Sequence, residues 1–203
     1  MSKVKICGIK SLKDVENVNK YKPDYVGFVF APGRKRTVDY TLAKTMREAM
    51  DSEILAVGVF VDAPIEEVEK LLNDGVIQIA QLHGHEDVAY AQTLKQKCDR
   101  PVIKAFVIRT DEDIQNVISY PCDYYLLDGG LGQGQTFDWS LVKGIQKPFF
   151  LAGGLAVANV KEAIETVHPY AVDVSSGVET DGVKDEEKIK EFINYVRAME
   201  KEK

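Results

Sequence analysis

Short apolar runs alternate with polar, amphipathic stretches along the whole chain. The apolar runs are Val4–Cys7, Tyr25–Phe30, Leu55–Val61, Ile77–Leu82, Val102–Val107, Asp123–Leu127, Pro148–Ala152 and Ala171–Val174. Several are almost unbroken Val, Ile, Leu and Phe, the pattern of strands covered on both faces. Between them, Ile65–Asn73, Asp87–Gln96, Asp111–Ser119, Val160–Val167 and Glu186–Met199 carry apolar residues at helical spacing. Ser11 stands as a cap ahead of Leu12–Asn19, Thr110 has Asp113 three residues on, and Pro64 suits a first helical turn. Strand–helix alternation of this kind implies parallel strands joined by right-handed crossovers. Eight such units are the number at which a parallel sheet closes on itself. The pattern therefore predicts an α/β fold, a parallel eight-stranded (β/α)8 TIM barrel, with residues 1–203 as a single domain. An open doubly wound sheet is the alternative, but it gathers ligand at one switch point. Here polar or reactive residues close most strands: Cys7, Asp62, His83, Asp128, Gly153 with Gly154, and Ser175 with Ser176.

Composition narrows the setting. With 45% hydrophobic and 29% charged residues, the 203-residue chain has the balance of one globular domain with a full core. No apolar run approaches a membrane span, and Met1 leads into lysine-bearing sequence rather than a signal peptide. Three scattered cysteines, Cys7, Cys98 and Cys122, make no disulfide framework, so a reducing, cytoplasmic setting is expected. A net charge of −6 argues against non-specific nucleic-acid binding.

The candidate chemistry lies at the strand ends. Leu151–Leu155 reads LAGGL, and Asp173–Glu179 reads DVSSGVE. Gly153 and Gly154 admit a ligand close to the backbone, and Ser175, Ser176 and Gly177 add donors, so the two loops suit a phosphate. Tight strand–helix turns are the plainer reading of the same glycines. Cys7 ends the first strand, where cations would lower its thiol pKa and make it a base or nucleophile; a small buried hydrophobe is the other reading, and the one given to Cys98 and Cys122. Asp128 precedes a glycine-rich stretch, Gly129–Gly134, and serves there as a general acid beneath a mobile loop or as a turn cap. Arg34, Lys35 and Arg36 form a basic loop in an acidic protein, suited to a carboxylate or simply solvated. His83 and His85 lack a third ligand at recognisable spacing, so no metal is expected. His83 then lines the site, while His85 and His168 stand on the surface. Lys104 and Asp173, inside strand runs, read as inward-facing buried polar partners.

Taken in order, KICGI, GFVF with the following Arg36, VGVFV, QLHG, LLD before the glycine-rich loop, FDW, LAGGL with NV, and DVSSGVE with KD resemble phosphoribosylanthranilate isomerase, a tryptophan-biosynthesis family. The resemblance runs from Lys3 to about Lys188. It implies a (β/α)8 barrel catalysing an Amadori rearrangement of N-(5-phosphoribosyl)anthranilate to 1-(2-carboxyphenylamino)-1-deoxyribulose 5-phosphate. It further implies Cys7 as general base, Asp128 as general acid and Arg36 as the holder of the anthranilate carboxylate. Gly153, Gly154, Ser175, Ser176 and Gly177 fall in its phosphate loops, and His83 lines its pocket. Acid and base need opposite environments, a raised carboxyl pKa and a lowered thiol pKa. No cofactor is implied, because the protonated imine of the reaction is itself the electron sink. The partner is a small phosphosugar, with neither nucleic acid nor membrane, in a monomer or homodimer. The chain departs from the family at LGQG after Asp128, at Arg34 for a serine, at Val157 for a proline and at Lys10 for a threonine. A non-catalytic phosphosugar-binding barrel is the alternative function.

Overall fold

The computed structural model describes residues 2–129 and 137–199. Eight parallel strands close into a barrel in chain order: β1 (Lys3–Cys7), β2 (Tyr25–Val29), β3 (Leu55–Phe60), β4 (Ile79–Leu82), β5 (Val102–Val107), β6 (Tyr124–Asp128), β7 (Phe149–Leu151) and β8 (Ala171–Val174). The seam is β8 against β1, with Lys3 opposite Ala171 and Lys5 opposite Asp173. The expected barrel is therefore the observed one, and each apolar run lies within a residue or two of its strand.

The helices are α1 (Leu12–Tyr21), α2 (Tyr40–Ala49), α3 (Ile65–Asn73), α4 (Val88–Lys97), α5 (Asp111–Ile118), α6 (Val157–Val167) and α7 (Glu186–Ala198). Their starts follow sequence chemistry. Ser11, Asp39, Asp87 and Asp185 each accept a backbone N–H of the first turn through the side chain. Asp113 accepts the N–H of Thr110 at 2.9 Å. Pro64 caps α3 from just outside it rather than sitting in its first turn. Among the described residues, β6 is followed by a short 3-10 turn, Trp139–Val142, where the repeating pattern called for an eighth full helix. After β8 a second 3-10 turn, Ser176–Val178, leads into a small hairpin, β9 (Glu179–Thr180) and β10 (Val183–Lys184).

Alternation along each strand separates two cores. Outward residues such as Val4, Ile6, Val102 and Leu127 pack against the helices. Inward residues Tyr25, Val57, Ile79, Ile103, Leu126, Phe150 and Ala171 fill the barrel. Phe150 meets the rings of Tyr25, Tyr124 and Tyr170 at 5.3, 5.7 and 5.8 Å, an aromatic plug at the amino-terminal end. The same end is fastened by a repeated device. Asp24, Gln78 and Asp123, just ahead of β2, β4 and β6, accept the N–H groups of Val4, Ala56 and Val102 on the preceding strands. The amino-terminal ends are thus tied strand to strand, and the carboxyl ends are left for chemistry.

Candidate active site

At those carboxyl ends lies a cavity of about 550 Å³, within the range of small-molecule sites. Cys7, Arg34, Lys35, Arg36, His83, Asp128, Gly153, Gly154, Ser175 and Ser176 all line it. Val59, Val61 and Val107 add an apolar wall. Gly177 is not a lining residue. A Cβ there would collide with the carbonyl of Leu155, so its lack of a side chain lets the β8 loop lie on the β7 loop. The glycine-rich stretch after Asp128 passes, beyond Gly129, outside the described residues.

Glycines clear the space that the polar side chains occupy. Gly27 on β2 leaves room for the Cys7 sulfur, which would stand 2.7 Å from a Cβ there. Gly8 turns at φ +85°, and the Arg36 side chain crosses where its Cβ would be. The loop after β2 folds back to allow this: Val38 donates to the Val29 carbonyl at 2.9 Å. Gly153, at φ +87°, would place a Cβ 2.9 Å from Asp128 Oδ1. Asn159 shapes the same loop, donating to the Gly154 carbonyl and accepting from the Ala156 N–H, both at 2.9 Å. Among the described residues, the N–H groups of Gly153 and Gly154, which both line the cavity, make no bond to another backbone carbonyl. They are the donors an anion would meet.

Arg36 is held by a residue that the sequence pattern gave no reason to single out. Its Nε and Nη2 donate to Glu179 Oε1 and Oε2 at 2.7 and 2.6 Å. Lys184, almost fully buried, donates to Glu179 Oε1 at 2.7 Å and to the Ser175 carbonyl at 2.9 Å. Burial works to raise the Glu179 carboxyl, but hydrogen bonds from Arg36 and Lys184 prevail and hold it at about 2. This side-on grip uses one edge of the guanidinium and leaves the end-on edge for another carboxylate.

Beneath Cys7 the barrel interior turns polar. Lys5 donates to Asp173 Oδ2 and to Gln81 Oε1, each at 2.8 Å, and all three side chains are buried. Because an ammonium only donates, Gln81 must present its oxygen to Lys5 and its Nε2 to His83 Nδ1, 2.8 Å away. His83 therefore carries its ring proton on Nε2. Burial lowers its pKa and keeps the imidazole neutral. Asp173 Oδ1 is buried and has no hydrogen-bond partner among the described residues.

Burial also pushes the Cys7 thiol above its ordinary value; Lys5 and Lys184 pull against it, and Asp173 adds to the rise. The lowered thiol expected from the sequence is thus not the state of this cavity, because desolvation outweighs the cations. One further expectation changes. Asp173 does face inward, but Lys104 points outward from β5, where it pairs with buried Glu86 at 2.8 Å and lies over the Tyr120 ring. His85 is exposed as expected, and its Nδ1 meets Asp62 Oδ2 at 3.0 Å. Lys5, Gln81, Glu179 and Lys184 were not singled out in the sequence. A charged residue inside the apolar run Val4–Cys7 is the one signal that could have drawn attention to Lys5.

Comparison with known proteins agrees with this geometry. Residues 4–195 match the family described as "PRAI: N-(5'phosphoribosyl)anthranilate (PRA) isomerase". The N-(5'-phosphoribosyl)anthranilate isomerase of Lachnoclostridium phytofermentans is 46% identical over 209 residues, covering 94% of this chain and 95% of that one. A solved phosphoribosyl anthranilate isomerase, in complex with reduced 1-(o-carboxyphenylamino)-1-deoxyribulose 5-phosphate, superposes with a TM-score of 0.88 at 35% identity, covering 98% and 100% of the two chains. The structure of mutually generated monomers of the dimeric enzyme from Thermotoga maritima gives 0.87 at 35% identity, with the same coverage. Eight strands with their site at one end, and relatives matched over nearly their full length, place this chain in the N-(5'-phosphoribosyl)anthranilate isomerase family.

Proposed function

We propose that the chain's isomerase activity runs in this cavity by general acid–base catalysis, with Asp128 as the acid and Cys7 as the base. The observation that carries the assignment is their placement. They face one cavity from β6 and β1, three strands apart around the barrel, so a sugar held between them is addressed from two sides. Arg36 and the glycine–serine loops flank β1 on its two sides. A substrate with a carboxylate at one end and a phosphate at the other is oriented by both.

Asp128, protonated, gives its proton to the furanose ring oxygen as the C1–oxygen bond breaks, leaving a protonated imine. Cys7 as thiolate takes the proton from C2, and those electrons move into the imine to give an enolamine. Loss of the C2 hydroxyl proton and gain of a proton at C1 then yield the ketone. The imine nitrogen accepts the electron pair, so the chain's own residues suffice without a cofactor. The end-on edge of Arg36 holds the anthranilate carboxylate. Gly153, Gly154, Ser175, Ser176 and Gly177 hold the phosphate, and His83 offers its Nε2 proton to a sugar hydroxyl. The product analogue bound by a solved relative supports this substrate class.

Residues 1–203 act as one catalytic domain, cytoplasmic, without nucleic-acid or membrane partners, as a monomer or homodimer. The biosynthetic relatives support the compartment, and the dimeric Thermotoga maritima enzyme supports the second assembly. Among the described residues no helix is long and apolar enough to cross a membrane. Arg36→Lys tests the orientation: it keeps the charge and loses the planar fork, so KM should rise about tenfold or more. An unchanged KM would remove Arg36 from substrate binding.

A further inference from the structure

The cluster beneath the cavity floor contains a charge that the acid–base pair does not use. Lys5 sits two residues before Cys7 on β1, so both side chains point into the barrel. Lys5 is completely buried, and its ammonium has three donors. One goes to Asp173 Oδ2 and one to Gln81 Oε1, each at 2.8 Å. The third is taken by neither, and the Cys7 side chain stands next along the same inward face of β1.

The charged groups around Cys7 come from every neighbouring element. Lys5 is on β1, Asp173 on β8, Lys184 on β10, Glu179 on β9 and Arg36 on the loop after β2. His83 from β4 and Asp128 from β6 share the cavity. Around the sulfur, Lys5 and Lys184 favour a thiolate and Asp173 opposes it.

We propose that Lys5 is a positioning residue for the isomerisation, whose third N–H holds the Cys7 sulfur as thiolate and aims it into the cavity. The inference rests on the reading of Cys7 as the base. Lys5 keeps its own proton throughout. Asp173 at 2.8 Å holds its ammonium protonated in spite of burial, so it acts by charge and hydrogen bond and not as an acid. Gln81 has a second part in the same device. By bridging Lys5 and His83 it ties the orientation of the ammonium to that of the imidazole on the opposite wall. Stabilising a thiolate by an adjacent cation costs the site nothing at the moment of reaction, because the partner is already in place.

Two readouts on Lys5→Met separate this role from a structural one. The first is the pH dependence of Cys7 alkylation by iodoacetamide, with Cys7→Ala protein as the blank for the buried Cys98 and Cys122. The second is the pH profile of kcat/KM for phosphoribosylanthranilate. We expect both limbs to move up by about one pH unit or more, with kcat at neutral pH down about tenfold and KM little changed. If Lys5→Met leaves Asp173 too costly to bury, the double variant Lys5→Met/Asp173→Asn removes both charges and is read in the same way. Limbs that stay where they are in either folded variant overturn the proposal. An alkylation limb that moves while the activity limb stays supports the Lys5–Cys7 contact and overturns Cys7 as the base.

Discussion

Glu179 joins the loop after β2 to the hairpin after β8, and its removal has a calculable cost. Its side chain is only 7% exposed and receives two donors from Arg36 and one from Lys184. Burial opposes its charge, yet these donors hold its carboxyl at about 2 against an ordinary 4.5. At about 1.4 kcal/mol per pH unit that difference is about 3 kcal/mol at neutral pH. Part of it is offset, because burial lowers the Lys184 ammonium even with Glu179 beside it. The net contribution is therefore closer to about 2 kcal/mol. Glu179→Gln keeps the size and one acceptor oxygen and removes the charge. Urea unfolding at pH 7, followed by circular dichroism, should show a loss of about 2 kcal/mol. The folded-state pKa lies below the unfolded one, so this stability is present above pH 4.5 and is lost as pH falls through 2. The difference between wild type and variant should accordingly shrink to about half by pH 3. A loss under about 0.5 kcal/mol at pH 7, or an equal loss at pH 7 and pH 3, would refute the reasoning.

Other outcomes follow from the same geometry. Gly153→Ala introduces a Cβ at φ +87° and 2.9 Å from Asp128 Oδ1; it should cost about 1–2 kcal/mol in stability and lower kcat more than it raises KM. A kcat reduced in step with stability alone would count against crowding of the carboxyl group. Because burial pushes the thiol above its ordinary 9.0, and the thiolate is the form proposed to react, kcat/KM should climb with pH across the neutral range. A profile already flat at pH 7 would show that Cys7 is ionised there, contrary to the desolvation argument.

The barrel was legible because strands covered on both faces must be apolar along their length, and eight such runs with intervening amphipathic stretches leave few folds. What pattern alone could not supply has physical reasons. The α2 segment reads YTLAKTMREA and buries only Ala43 and Met46, so its apolar stripe is too thin to stand out. The cavity residues at strand ends could be named because closure of the sheet brings all strand ends together. Their partners could not. Arg36 meets Glu179 across 143 residues, and Lys5 meets Asp173 across 168. Such pairs exist only once β8 has closed against β1. Lys104 shows the limit of reading side from type: it is buried, as a lysine inside an apolar run suggests, but alternation on β5 sends it outward to Glu86.

The most direct measurement of the central claim is the loss of anthranilate-type fluorescence when purified protein meets phosphoribosylanthranilate generated in situ. Wild type, Cys7→Ala and Asp128→Ala are run side by side, each with its folding checked. Rapid loss with wild type, falling by several orders of magnitude in both variants, is the result the account predicts. A folded Cys7→Ala or Asp128→Ala protein that still turns over at the wild-type rate would contradict it.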